Sequence, residues 1–400
     1  MSSLSQQRQP DFSPYFQAPA VQFYPEFDPT QEEFSHIKAM TYTGAPLQGV
    51  PTKVFAHLGF PQNAGDKVPA VVLVHGGGGH PDDRWIRYWN EQGFAALAMS
   101  TTGNFPTKPL PRMHESFHEG VGRFWQAPFQ EEGFCPAPDN SAMKDNDLPL
   151  EDQWLYHAVS QVILAHSLLA ADPRVDEGSI GLCGISWGAV ISSIVLGYDP
   201  RIAWAVPIYG AAHLKKGLSD LSQAIPQEAE VWFAEKRLDR VTCPVLWLAW
   251  NADTCFSVHS NVLSYLSTCQ QNPNTRLCLL HEMMHSHAAG YTPRESYAFG
   301  RRVADGLPQP RVWAQVDQGR LSYGADVPLK AVRLFSVDSP ITYTRQTKHE
   351  LTAGWMQGDW QITDLDPAQT QAPLPPKTYT GYVEFTLPDD TRLCAWPFSI

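Results

Sequence analysis

The run Val68-Pro69-Ala70-Val71-Val72-Leu73-Val74 is apolar throughout, rich in β-branched residues, and followed at once by His75-Gly76-Gly77-Gly78-Gly79-His80. A strand with one wet face alternates apolar and polar residues. An unbroken apolar run is what a strand covered on both faces requires. Similar runs recur at 94–99, 179–183, 203–209, 244–250 and 276–280. Helical patterns are predicted between or after them over 82–92, 151–171, 187–197 and 293–304. Strands that alternate with helices in this way predict an α/β chain built on a doubly wound, mostly parallel sheet.

The texture differs at both ends. Residues 1–35 are rich in Pro, Gln, Phe and Tyr and are expected to form an arm on the body. The α/β pattern occupies 36–306, with a long loop over 101–149 expected near the site. From 307 to 400 the runs are short and alternating, with turn residues such as Asp389-Asp390 between them. That pattern predicts a small all-β, sandwich-like C-terminal domain.

Composition narrows the function. With 43% hydrophobic residues the chain can bury a large core, and a net charge of -12 disfavours nucleic acid or an anionic membrane surface as partner. The polar N-terminus lacks an apolar signal core, and no unbroken apolar stretch approaches a membrane span, so a cytoplasmic, non-membrane protein is expected. The seven cysteines are scattered singly, in an odd number, which predicts reduced thiols rather than a disulfide framework.

The chemistry concentrates at strand ends. Gly184-Ile185-Ser186-Trp187-Gly188 is a G-x-S-x-G with a buried run before it and a helical run after it. This strand–turn–helix context is what presents a serine nucleophile above a sheet. The glycine loop after Val74 lacks the lysine of a phosphate-binding loop, and Pro81 breaks the dinucleotide-binding spacing. It fits better as an oxyanion loop, with the N–H groups of Gly76 or Gly77 joined by that of Trp187 just after the nucleophile. Asp253 follows the run 244–250, where the acid of such a site stands, and His285 follows the run 276–280, where the base stands.

His285 also belongs to His281-Glu282-Met283-Met284-His285, a literal H-E-x-x-H. On a helix that pattern binds zinc through both histidines and uses the glutamate as base. The longer zinc pattern fails here, because Ala288 and Tyr291 replace its glycine and third histidine. A zinc site would also leave Ser186, the glycine loop and Asp253 without a role.

Taken together, VPAVVLVHGGGG, WIRYWNEQGFAALAMS, EDQWLYHAVSQVILAHSLL, VDEGSIGLCGISWGAVISSIVLGYDPRIAWAVPIYG and MMHSHAAG resemble the α/β-hydrolase superfamily over roughly residues 40–306. More closely, they resemble the acetyl xylan esterase and dienelactone hydrolase-related bacterial esterases. The resemblance implies Ser186, Asp253 and His285 as nucleophile, acid and base, with His285 rather than His287 as base because relatives reading H-G-H or H-S-H use the first histidine. SWGA stands where SWGG is usual. The implied activity is hydrolysis of short-chain, acetyl-type esters of small molecules, carbohydrates among them, with no metal and no organic cofactor. A serine peptidase on the same fold and a non-catalytic binding protein are the other readings.

Overall fold

A computed structural model describes residues 9–62, 65, 67–103, 143–216, 220–253, 255–337, 360–378 and 380–397. Most of the 101–149 loop, including His114 and His118, lies outside these residues. The first strands are β1 (Val21–Phe23), β2 (Ile37–Leu47), β3 (Val50–Gly59), β4 (Val68–Val74) and β5 (Ala95–Met99), with α1 (Asp83–Glu91) between the last two. There follow α2 (Trp154–Ala171), β6 (Val175–Ile185), α3 (Trp187–Leu196), β7 (Trp204–Ile208), β8 (Leu246–Trp250), α4 (Val258–Cys269), β9 (Arg276–Leu280) and α5 (Arg294–Ala304).

In the sheet these strands lie in the order β1-β2-β3-β5-β4-β6-β7-β8-β9. β4 pairs in parallel with both β5 and β6, and β6 through β9 continue in parallel. β3 meets β5 antiparallel. The chain therefore winds one way from β4 to β5 and the other way from β6 onward. At such a reversal the loops leaving neighbouring strands part, and their carboxyl ends open a crevice. This mixed, doubly wound sheet is an α/β-hydrolase fold. Every residue of β5, β7, β8 and β9 is buried, which is why those segments read as continuous apolar runs.

Helix α2 is long and apolar enough by length and composition to cross a bilayer, yet 83% of it is buried inside the protein. At the N-terminus, Phe12 is buried and stacks on Tyr156 of α2, while β1 pairs with β2.

The remaining strands are β10 (Val312–Asp317), β11 (Arg320–Ala325), β12 (Ala331–Val337), β13 (Gln361–Leu365), β14 (Gln371–Pro373), β15 (Thr380–Thr386) and β16 (Arg392–Ala395). They form two layers. β10, β11 and β14 make a small sheet, whereas β16-β15-β12-β13 extend the main sheet past β9 through the antiparallel pair Cys394↔Leu277. Leu321 and Tyr323 of one layer and Leu334, Val383 and Phe385 of the other share one apolar core. The layers thus face each other as a sandwich while one of them belongs to the main sheet.

The turn between β6 and α3 is fixed by close backbone approach. A Cβ on Gly188 would stand 2.0 Å from the Val74 carbonyl oxygen, and one on Gly184 would stand 2.3 Å from the Gly188 carbonyl oxygen. Neither obstacle is a side chain that can rotate away. Overpacking a closed site of this kind costs about 1–3 kcal/mol, occasionally more. Gly188→Ala should therefore lower the unfolding free energy by an amount in that range, read as a lower urea midpoint at unaltered m value; a midpoint equal to wild type would contradict the packing described.

Candidate active site

Four loops at the carboxyl ends of β4, β6, β8 and β9 converge. Ser186 occupies the turn between β6 and α3 with φ 56° and ψ -118°, a left-handed conformation that costs a residue with a Cβ about 1–3 kcal/mol. Its N–H donates to the Ile208 carbonyl of β7 at 3.0 Å, which helps to hold the strained turn in place.

His285 lies between Ser186 and Asp253. Its Nε2 is 2.9 Å from Ser186 Oγ, and its Nδ1 is 2.7 Å from Asp253 Oδ2. A carboxylate can only accept, so Nδ1–H donates to Asp253 and Nε2 is left to accept the serine O–H. Asp253 is 0% exposed, and its other oxygen accepts the N–H groups of Cys255 at 2.7 Å and Phe256 at 2.9 Å. The His285 ring is flanked by Tyr209 and Phe256, at centroid distances of 4.5 and 6.0 Å. Tyr209 also donates its O–H to the Ser286 carbonyl, next to His285 in the chain.

The glycine loop is held by two other histidines. His75 Nδ1–H donates to the Gly76 carbonyl at 2.7 Å, and its Nε2 accepts the Thr101 N–H at 3.0 Å. His287 Nε2 accepts the Gly76 N–H at 3.0 Å. That bond commits the Gly76 amide, so of the two loop donors considered from sequence only Gly77 remains for an oxyanion. No bond among the described residues engages its N–H. Trp187 is the first residue of α3, where an N–H has no carbonyl partner within the helix. Of the three donors considered, Trp187 and Gly77 are thus the two whose N–H groups no described bond engages.

The same geometry separates the two candidate bases. His287 is 8% exposed and turned to the loop, and burial pushes its pKa down to about 4. It is a neutral acceptor for the Gly76 amide, whereas His285 bonds both Ser186 and Asp253. The H-E-x-x-H segment is not helical: it is a turn between β9 and a short helix, His287–Tyr291. His281 Nδ1 meets the Asn251 side chain at 3.2 Å, whereas His285 meets Ser186, so the two imidazoles serve different partners.

Three supporting groups lay beyond the sequence reading. Tyr209 stands just past the end of β7, which puts it at the carboxyl edge. Cys255 stands beside the acid. Tyr382 of β15 accepts the Asn251 amide N–H at 2.9 Å, so a C-terminal strand steadies the turn that carries Asp253.

No family model and no curated protein matches the chain. Among solved structures it is similar to acetyl xylan esterase 1 from Thermoanaerobacterium sp. JW/SL YS485, at 14% identity over 73% of this chain and 93% of that one, with a TM-score of 0.46. Est1E from Butyrivibrio proteoclasticus is similar at 18% identity over 66% and 96%, with a TM-score of 0.40. The Pyrococcus horikoshii acylaminoacyl peptidase is similar at 12% identity and a TM-score of 0.45. Against that peptidase the match takes in 67% of this chain but only 40% of the other.

Two outcomes follow from the geometry. Position 186 has a conformation suited to glycine, so Ser186→Gly should unfold at a temperature no lower than Ser186→Ala, despite the ~0.4–1 kcal/mol entropic advantage alanine ordinarily holds over glycine. A clearly less stable glycine variant would show that the turn is not strained. The second outcome concerns acid. Burial lowers His75 to about 3 and His57 and His287 to about 4, from 6.5. Between those values the unfolded chain binds protons that the folded chain does not. The stabilisation is complete above 6.5 and is lost as pH falls towards 4. The thermal midpoint should decline from pH 7 to 5, with a shallower decline in His287→Gln; a flat profile would contradict the buried neutral histidines.

Proposed function

We propose that this chain is a serine hydrolase of carboxylic esters that works through an acyl-enzyme on Ser186. The observation that carries the reading is the unbroken line Asp253–His285–Ser186, with contacts of 2.7 and 2.9 Å and the serine on a strained turn at the sheet's carboxyl edge.

In this mechanism Ser186 Oγ attacks the ester carbonyl carbon as His285 Nε2 takes its proton. Asp253 holds the Nδ1–H tautomer and stabilises the imidazolium that forms. The carbonyl oxygen becomes an oxyanion facing the N–H groups of Trp187 and Gly77, donors already fixed by the elbow and the clamped loop. His285 then protonates the leaving alkoxide, the C–O bond breaks, and the alcohol departs. Water enters, gives its proton to His285 and attacks the acyl carbon. Collapse of that second intermediate returns the proton to Ser186 and releases the carboxylic acid. These steps call on no metal and no organic cofactor.

Short acyl groups, acetyl foremost and carbohydrate esters among them, are the proposed substrates. The resemblance of the chain's motifs to acetyl xylan and dienelactone-type esterases supports this choice.

The test is steady-state turnover of p-nitrophenyl acetate beside an acylated peptide. Wild type should prefer the ester. Ser186→Ala should lose on the order of 10⁴-fold or more in kcat, and Asp253→Asn about 10³–10⁴-fold, with folded spectra retained. Wild-type ester activity in Ser186→Ala would overturn the reading. Preference for the peptide would move the substrate class to amides while leaving the nucleophile in place.

A further inference from the structure

The proposed mechanism uses Asp253 and His285 but gives no role to the thiol of Cys255 beside them. Cys255 is half-buried and outside any disulfide. A carboxylate oxygen of Asp253, the Sγ of Cys255 and a ring nitrogen of His285 lie within 4.8 Å of one another. One oxygen, one sulfur and one imidazole nitrogen make a donor set suited to zinc, which binds carboxylate, thiolate and imidazole together and commonly keeps a fourth position for an oxygen ligand.

We propose that Asp253, Cys255 and His285 form an inhibitory site for a thiophilic divalent cation of the zinc class, and that occupancy switches the hydrolase off. As regulation, the proposal rests on the hydrolase reading; as a binding site, it stands on the three side chains alone.

The geometry allows it. Around a tetrahedral zinc with bonds of about 2.0–2.3 Å, ligand atoms stand about 3.3–3.7 Å apart. A pair at the 4.8 Å limit would close by roughly 1 Å, while Asp253 Oδ2 and His285 Nδ1, at 2.7 Å, would move apart to ligate together. Asp253 is held by two backbone N–H groups and is the fixed member. The His285 side chain is 25% exposed, so a cation reaches it from solvent. Ser186 Oγ, 2.9 Å from His285 Nε2, or a water would fill the fourth position.

Inhibition follows whichever ring nitrogen ligates. Nδ1 is the atom that donates to Asp253, and Nε2 is the atom that takes the proton of Ser186. Coordination through Nδ1 displaces its proton and breaks the link to the acid; coordination through Nε2 removes the base. In either case the thiol proton goes to solvent as the sulfur binds as thiolate, so metal and protons exchange without any change of oxidation state.

This site is distinct from the H-E-x-x-H zinc arrangement, which needs His281 and a helix. His281 is engaged with Asn251 and lies against Phe335. The two schemes therefore diverge on which variant loses the metal.

The experiment titrates zinc chloride into p-nitrophenyl acetate turnover by wild type, Cys255→Ser and His281→Ala, each normalised to its own metal-free rate. The concentration for half-inhibition should rise about tenfold or more in Cys255→Ser, since losing a ligand costs at least what losing a supporting partner does. It should stay at the wild-type value in His281→Ala, and a chelator should restore the wild-type rate. A second readout needs neither turnover nor a cysteine variant: zinc should slow alkylation of Cys255 by iodoacetamide in wild type and in Ser186→Ala, as mapped by peptide mass. Unchanged inhibition in Cys255→Ser, inhibition that depends on His281, or alkylation of Cys255 indifferent to zinc would each overturn the site. Zinc protection of Cys255 in a wild-type chain that shows no ester turnover would remove the hydrolase reading while leaving the metal site standing.

Discussion

Everything at the carboxyl edge of the sheet depends on how tightly α3 is pressed against β4. Gly188 lies so close to the Val74 carbonyl that no side chain fits, and two residues before it the chain turns sharply at Ser186. β4 is also where the strand order reverses. That contact and the strained serine therefore lie beside the crevice where loops from β4, β6, β8 and β9 can meet. The strain at one residue and the opening of the site coincide where one helix packs on one strand.

Three histidines around that crevice carry different duties set by what each nitrogen faces. His285 has a buried carboxylate on one side and a hydroxyl on the other, the environment of a proton carrier. His75 bonds the Gly76 carbonyl and Thr101, His287 accepts the Gly76 N–H, and burial keeps both neutral. A glycine loop has little side-chain packing to fix it. Two neutral imidazoles bonded to its amide and carbonyl groups supply that rigidity, and the Gly76 N–H is spent in the process. The C-terminal strands add a further brace, because Tyr382 holds Asn251 in the turn that leads to Asp253.

Much of this was legible in the sequence because continuous burial leaves an unmistakable trace. Strands covered on both faces are apolar at every position, so the segments around Val71, Leu97, Cys183, Val206, Leu248 and Cys278 stand out, and chain order along them predicts where Ser186, Asp253 and His285 fall. What spacing cannot express is the direction of a hydrogen bond. Nothing in HSH says which imidazole turns to the serine and which to a glycine amide, and nothing in HGGGG says which N–H is already committed. The zinc-like HEMMH misleads for the same reason, since its meaning depends on a helix that the preceding buried strand does not allow. The pairing of Cys394 with Leu277, which joins the C-terminal strands to the main sheet, links residues distant in the chain and has no local signature.

The central claim is that Ser186 is an activated nucleophile because His285 and Asp253 stand in line behind it. Covalent labelling by a fluorophosphonate probe, mapped by peptide mass, tests it most directly. The account predicts a single adduct on Ser186 that forms rapidly in wild type and is lost in His285→Ala. Failure of wild type to label, or an adduct on Ser186 that forms as fast without His285, would contradict it.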